Sequence, residues 1–159
     1  MFDDDMTLKE ARDILREIAM GRGGTCPCCT QRVKVYRRKL PVASAQILIE
    51  LFREDGADDY VYVPKILDRM TGTPAQGGYG TLSVHWGLIA SMEGERDDGS
   101  NRTGWWKLTE EGVRFVLDAA TVPERAHIYN GRCLGHSGPP IDIRQALRNR
   151  FDYDELMSA

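Results

Sequence analysis

The chain is 159 residues long, 42% hydrophobic and 28% charged, with a formal net charge of -3. That size and balance fit one globular domain, or one domain with an appendage, and exclude a protein that is basic throughout. No apolar run approaches the roughly 18 residues that cross a bilayer, and the acidic start MFDDDMTLKE lacks the basic-then-apolar layout of a signal peptide. A cytoplasmic protein without membrane contact is therefore expected.

In chain order, residues 7–20 predict a helix: Thr7 and Glu10 have the spacing of a capping box, and Leu8, Ala11, Leu15 and Ile18 line one face. Gly21-Arg22-Gly23-Gly24 stops it. Val33 and Val35 alternating with Arg32, Lys34 and Tyr36 predict a short half-exposed strand. A second helix is expected from about Pro41, suited to N1, to Glu54, with Val42, Ala45, Ile49 and Phe52 as its buried stripe. After Asp55-Gly56 come a β-prone piece (60–63), a short helix opened by Pro64 and a loop over 72–78.

Leu82, Trp86 and Ile89 then fall at helical spacing, which predicts a helix over 81–92. A polar excursion with turn chemistry at Asp98-Gly99 follows. Trp105 to Leu108 reads as a strand, and Thr109 as the N-cap of a helix whose first turn carries Glu110 and Glu111. Of the three tryptophans, Trp86 and one of Trp105 and Trp106 are expected in the core, because alternation sends that pair to opposite faces. Val122-Pro123 breaks the helical pattern, and HIYNGRCL predicts a hairpin turning at Asn130-Gly131. A helix over 141–157 ends the chain.

The four cysteines are Cys26, Cys28, Cys29 and Cys133. In a reducing compartment they are expected as metal ligands or buried thiols. Cys26 and Cys29 stand in C-x2-C spacing within CPCC, and Cys133 and His136 in C-x2-H spacing. Two such turns supply a tetrahedral Cys3His set, expected to hold a structural zinc and to pin the C-terminal part of the chain to the N-terminal part. Cys28 competes with Cys29 for this role and His127 with His136; the alternative is a set of buried or surface thiols.

The run Arg32, Lys34, Arg37, Arg38 and Lys39 is a candidate phosphate-tracking patch, or else a strand edge protected by charge. Acidic groups gather at the two ends of the chain, so a basic patch still acts within a Debye length of about 8–10 Å. On the helix over 81–92, Ser83 and His85 are outward candidates for contact with base edges, joined by Tyr79, Thr81, Ser91 and the preceding Gln76. The sequence contains no Lys or Arg between Arg69 and Arg96. Beyond that helix, Arg96 and Arg102 are candidates to enter a minor groove, opposed by Glu95, Asp97 and Asp98. No Gly-rich phosphate loop, HExxH or paired-carboxylate arrangement marks an enzyme.

The stretch Trp106-Lys107-Leu108-Thr109, then Gly112, resembles the wing-to-helix signature of winged-helix regulators of the MarR and PadR type. The wider layout, with CPCC, VKVYRRKL, WGLI, the Tyr-Asn-Gly hairpin and FDYDELM, resembles uncharacterised winged-helix proteins of bacteriophages. The resemblance implies an α+β winged helix-turn-helix and DNA binding in transcription regulation, but not the dimerising helices of the MarR type. The expected organisation is a single domain over 1–159. It has a winged-helix core at about 40–120 and a small zinc-ribbon-like β patch from 24–39 and 126–137. Double-stranded DNA is the expected partner; the alternative is a protein-protein module docking on host transcription machinery.

Overall fold

The structure, a computed structural model, describes residues 2–70, 79–92 and 104–158. The elements are α1 (Leu8–Met20), β1 (Gly24–Thr25), β2 (Arg32–Val33), β3 (Tyr36–Lys39), α2 (Val42–Arg53), β4 (Val61–Tyr62) and α3 (Val63–Arg69). A 3-10 helix (Tyr79–Trp86), β5 (Ile89–Ser91), β6 (Trp105–Leu108), α4 (Glu110–Val116), β7 (Val122–Tyr129), β8 (Arg132–Ile141), α5 (Ile143–Ala146) and α6 (Tyr153–Ser158) follow. This is an α+β arrangement with small antiparallel sheets: a β1-β2 pair and two three-stranded sheets ordered β3-β7-β8 and β4-β6-β5. Among the described residues no helix is long and apolar enough to cross a membrane.

Helix α2 is the centre of the packing. Pro41 caps it with extended backbone, and Ile47, Leu48, Ile49 and Leu51 are at most 1% exposed. The expected stripe of Val42, Ala45, Ile49 and Phe52 is too narrow: Ser44, Gln46, Ile47 and Leu48 are buried as well, and Phe52 only half-buried. The reason is tertiary. α3, the 3-10 helix, α4, β6, α5 and α6 all pack on α2, so it has almost no solvent face.

Helix α4 is joined to the segment leading into β5 by a contact that accounts for the Leu-Thr-x-x-Gly pattern. Thr109 caps α4 by accepting from the Gly112 N–H at 3.0 Å, while its hydroxyl donates to the Gly87 carbonyl at 2.6 Å. The Thr109 N–H donates to the Leu88 carbonyl at 3.0 Å. That carbonyl lies so close to Gly112 that a Cβ there would stand 2.0 Å from its oxygen. Trp86 is buried with its indole N–H donating to the Pro123 carbonyl at 2.7 Å; Trp106 packs against the core, and Trp105 is exposed, as alternation requires.

The predicted helix over 81–92 is corrected. Tyr79–Trp86 is a 3-10 helix, Gly87 turns the chain at φ +72°, and Ile89–Ser91 is a strand opposite Leu108, Lys107 and Trp106. Trp86 and Ile89 are nevertheless buried and Leu82 packs against the core. The apolar positions were legible; the switch from helix to strand depends on pairing with β6. The loop over 72–78 and the turn at Asp98-Gly99 lie outside the described residues.

The predicted hairpin forms, with Asn130 and Gly131 both left-handed at φ +50° and +75°, but it is longer than HIYNGRCL. Val122-Pro123 opens its first strand, and Pro139 and Pro140 sit in β8, an edge strand that tolerates a missing N–H. The predicted strand 32–36 is broken. Val35 is buried and donates its N–H to the Ala19 carbonyl at 2.8 Å, which separates β2 from β3. The helix expected over 141–157 is likewise two short helices, because Arg148 and Asn149 take left-handed φ values of +53° and +60°. Arg144 bridges the break, reaching Asp118 at 3.3 Å and Asp154 at 3.1 Å.

Candidate nucleic-acid interface and thiol sites

The basic run is placed on an edge. Strand β3 lies at one end of the β3-β7-β8 sheet with all four residues exposed. Its register with β7 sets Arg37 opposite His127 and Lys39 opposite Arg125, so these four side chains belong to one face of the sheet. On the other face, the Lys34 ammonium and the Arg38 guanidinium lie 5.3 and 5.2 Å from the centre of the Tyr36 ring. Arg32 is removed from this edge: it sits in β2 and donates to the Arg22 carbonyl at 3.1 Å.

A cleft of about 340 Å³ wraps the free edge of β3, lined by Tyr36, Arg37, Arg38, Lys39, Pro41, Leu82, Arg125 and Arg148. Five of these eight residues are cationic, and Leu82 comes from the 3-10 helix. Among the described residues Arg37, Arg38 and Lys39 have no carboxylate within salt-bridge distance, whereas Arg125 meets Glu124 at 3.3 Å. Arg148 is held by donating to the Leu40 carbonyl at 3.0 Å. Arg125 and Arg148 were not among the sequence candidates. They lie far from the basic run in sequence and reach it only through the β3–β7 ladder and the left-handed turn after α5.

The pairing of Lys39 with Arg125 has an energetic consequence. Like charges directly opposite on neighbouring strands cost a few tenths to about 1 kcal/mol, and a bound polyanion offsets that cost. Lys39→Ser is therefore expected to leave stability unchanged or raise it by up to about 1 kcal/mol while weakening anion binding. Urea unfolding beside a binding titration checks both signs.

One of the base-contact candidates is corrected. Ser83 is fully buried, and its hydroxyl has no hydrogen-bond partner among the described residues. It faces inward because the tighter 3-10 winding turns this position toward the core. An unpartnered buried hydroxyl is a cost, so Ser83→Ala is expected to stabilise the fold by about 1 kcal/mol, read as a higher denaturant midpoint. His85 is half-buried and turned toward β8, where burial and the neighbouring His136 hold its pKa below the usual histidine range. Of the other positions, Thr81 is half-buried and Ser91 exposed, and the Tyr79 side chain lies outside the described residues. Gln76, Arg96 and Arg102 lie outside the described residues.

The four candidate zinc ligands are present as two separate pairs. Cys26 and Cys29 occupy a turn between β1 and β2. The Cys26 N–H donates to the Gln31 carbonyl at 2.9 Å, the Thr30 N–H donates to the Cys26 carbonyl at 3.0 Å, and Thr30 takes φ +61°. Backbone N–H groups of Cys29 and Cys28, together with the Cys29 thiol, hydrogen-bond to the Cys26 sulfur and hold its pKa below the usual thiol range.

Cys133 and His136 lie on β8, with Cys133 Sγ 3.6 Å from His136 Nε2. That nitrogen is 2.8 Å from the His85 carbonyl oxygen, which only accepts, so Nε2 carries the proton and donates. The Cys133 thiol donates to the Gly135 carbonyl at 3.4 Å, and His127 pairs with the Ser137 hydroxyl at 2.7 Å.

Among the described residues no three His, Cys, Asp or Glu side chains gather where they could hold one metal ion, so one chain does not assemble the Cys26, Cys29, Cys133 and His136 set. The topology gives the reason. β8 is separated from β3 by β7, two strand spacings or roughly 10 Å, and the cysteine turn belongs to a separate sheet, the β1-β2 pair. The junction between residues 24–39 and 126–137 expected of zinc is made by the β3–β7 hydrogen-bond ladder. Compared with protein-family models, curated proteins and solved structures, the chain has no significant match.

Proposed function

We propose that the protein is a winged-helix protein that binds double-stranded DNA non-catalytically, in the regulation of transcription. The order α2, β4, α3, 3-10 helix, β5, β6, α4, with sheet order β4-β6-β5, supports the winged-helix reading. In that arrangement the 3-10 helix takes the place of the recognition helix, and β5 and β6 take the place of the strands that flank a wing.

The observation that carries the DNA reading is the cationic cleft on the β3 edge, where Arg37, Arg38, Lys39, Arg125 and Arg148 meet the 3-10 helix at Leu82. Of these, Arg37, Arg38 and Lys39 lie on an exposed strand edge without acidic partners among the described residues, which suits a phosphate backbone. The 3-10 helix offers no Arg or Lys and buries Ser83, so contact with phosphates outweighs the reading of bases.

The test is fluorescence anisotropy of a labelled mixed-sequence duplex across a range of salt. Saturable binding whose logarithm falls linearly with the logarithm of salt is expected, with a slope of about -3 to -5 for three to five phosphate contacts. Absence of binding at low salt would overturn the reading and leave the protein-docking alternative.

A further inference from the structure

The cysteine turn offers two thiols and stops there. Zinc takes four protein ligands in a closed structural site, and among the described residues none completes the set within this chain. The turn is nonetheless organised as a ligand. It is closed by two backbone hydrogen bonds at 2.9 and 3.0 Å, which hold Cys26 and Cys29 on one tight turn. The turn also faces outward, with Cys29 exposed and Cys26 half-buried.

A second, independent observation lies beside it. Helix α1 stands on this hairpin, with Ile18 against Gly24 and the Ala19 carbonyl accepting from Val35, and none of its residues joins the core cluster around α2. Its apolar stripe is incompletely covered: Ala11, Leu15 and Ile18 are half-buried and Leu8 is 61% exposed. A 13-residue helix is marginal without packing on such a face.

We infer that the Cys26–Cys29 turn is half of a zinc site that the same two cysteines of a second copy complete, with the stripe of α1 forming the adjoining contact between the copies. A two-fold axis through the ion makes the interface self-complementary, supplies four thiolates in tetrahedral geometry and covers the stripe on both chains. Each cysteine loses its proton to solvent as it ligates, so assembly weakens as pH falls. This inference does not rest on DNA binding.

The experiment uses the full chain, kept reduced and loaded with zinc, with metal content and sedimentation mass measured together before and after chelation. One zinc per two chains and a dimer that chelation converts to monomer are expected. Cys26→Ser and Cys29→Ser should each abolish both zinc and dimer while the circular dichroism spectrum is kept, because the turn lies at the surface. Cys28→Ser should retain both. With cobalt in place of zinc, the visible spectrum should be that of four thiolates. Leu15→Glu, which leaves every thiol in place, should loosen the dimer at least about tenfold, as expected for a charge set into an apolar contact.

One zinc per monomeric chain, no retained zinc, or equal loss in Cys28→Ser would overturn the inference, as would a dimer indifferent to chelation.

Discussion

Replacing Arg37 and Arg38 together by alanine is expected to weaken binding to every duplex tested by roughly one to two orders of magnitude at low salt, at about 1–1.5 kcal/mol per lost charge-assisted contact. The salt dependence should flatten by about 1.8, or 0.9 for each phosphate released. Both residues lie on an exposed edge strand without an acidic partner among the described residues, so the fold should keep its stability within about 0.5 kcal/mol. Loss of the Arg38 contact with the Tyr36 ring accounts for most of that margin. Arg114→Ala is the control, since Arg114 is on α4 and paired with Glu111 at 2.9 Å. A double variant that binds as the parent does, with an unchanged salt slope, would remove the β3 edge from the interface.

Gly112→Ala is expected to cost about 3 kcal/mol and to lower the thermal midpoint by roughly 6–12 °C for a chain of this length. The added methyl group would stand 2.0 Å from the Leu88 carbonyl oxygen, and backbone has to move to admit it. That carbonyl also accepts from the Thr109 N–H, so the movement strains the α4 cap and the β5–β6 pairing at once. Gly131→Ala separates this effect from the general cost of replacing a glycine. Gly131 has φ +75° and open space around its Cα, so only the left-handed backbone is penalised, by about 1 kcal/mol. Equal stabilities for the two variants would show that α4 does not sit on Leu88 as described.

These two positions mark what could be read at different ranges. The capping box of Thr7 and Glu10, the cap at Thr109 and the turn at Asn130-Gly131 rest on interactions within a few residues, and all three are present. The opposite orientation of Trp105 and Trp106 follows from strand alternation alone. The basic run Arg37, Arg38 and Lys39 was equally legible. Its partners Arg125 and Arg148 were not, because neither strand register nor a left-handed turn at Arg148 leaves a local trace.

The same division explains the corrections. Leu82, Trp86 and Ile89 recur at helical spacing, yet Ile89 belongs to a strand, since the β6 edge satisfies its backbone better than a further helical turn. Ser83 reads as outward on an α-helix and is inward on a 3-10 helix, where residues repeat every three positions. Cys26, Cys29, Cys133 and His136 have ligand spacings, but spacing determines only which pairs share a turn. Whether two such pairs meet depends on tertiary arrangement, and here one lies in the β1-β2 pair and the other on β8 of a different sheet.

By itself, then, the sequence determined the caps, the turns, the charge of the β3 edge and the apolar positions, because each depends on neighbours close along the chain. Only the tertiary structure decided that α2 is buried on nearly all sides, that five cations share one cleft, and that the thiols stay in two pairs. Those outcomes depend on contacts between residues far apart in sequence, where register, strand order and packing set the distance.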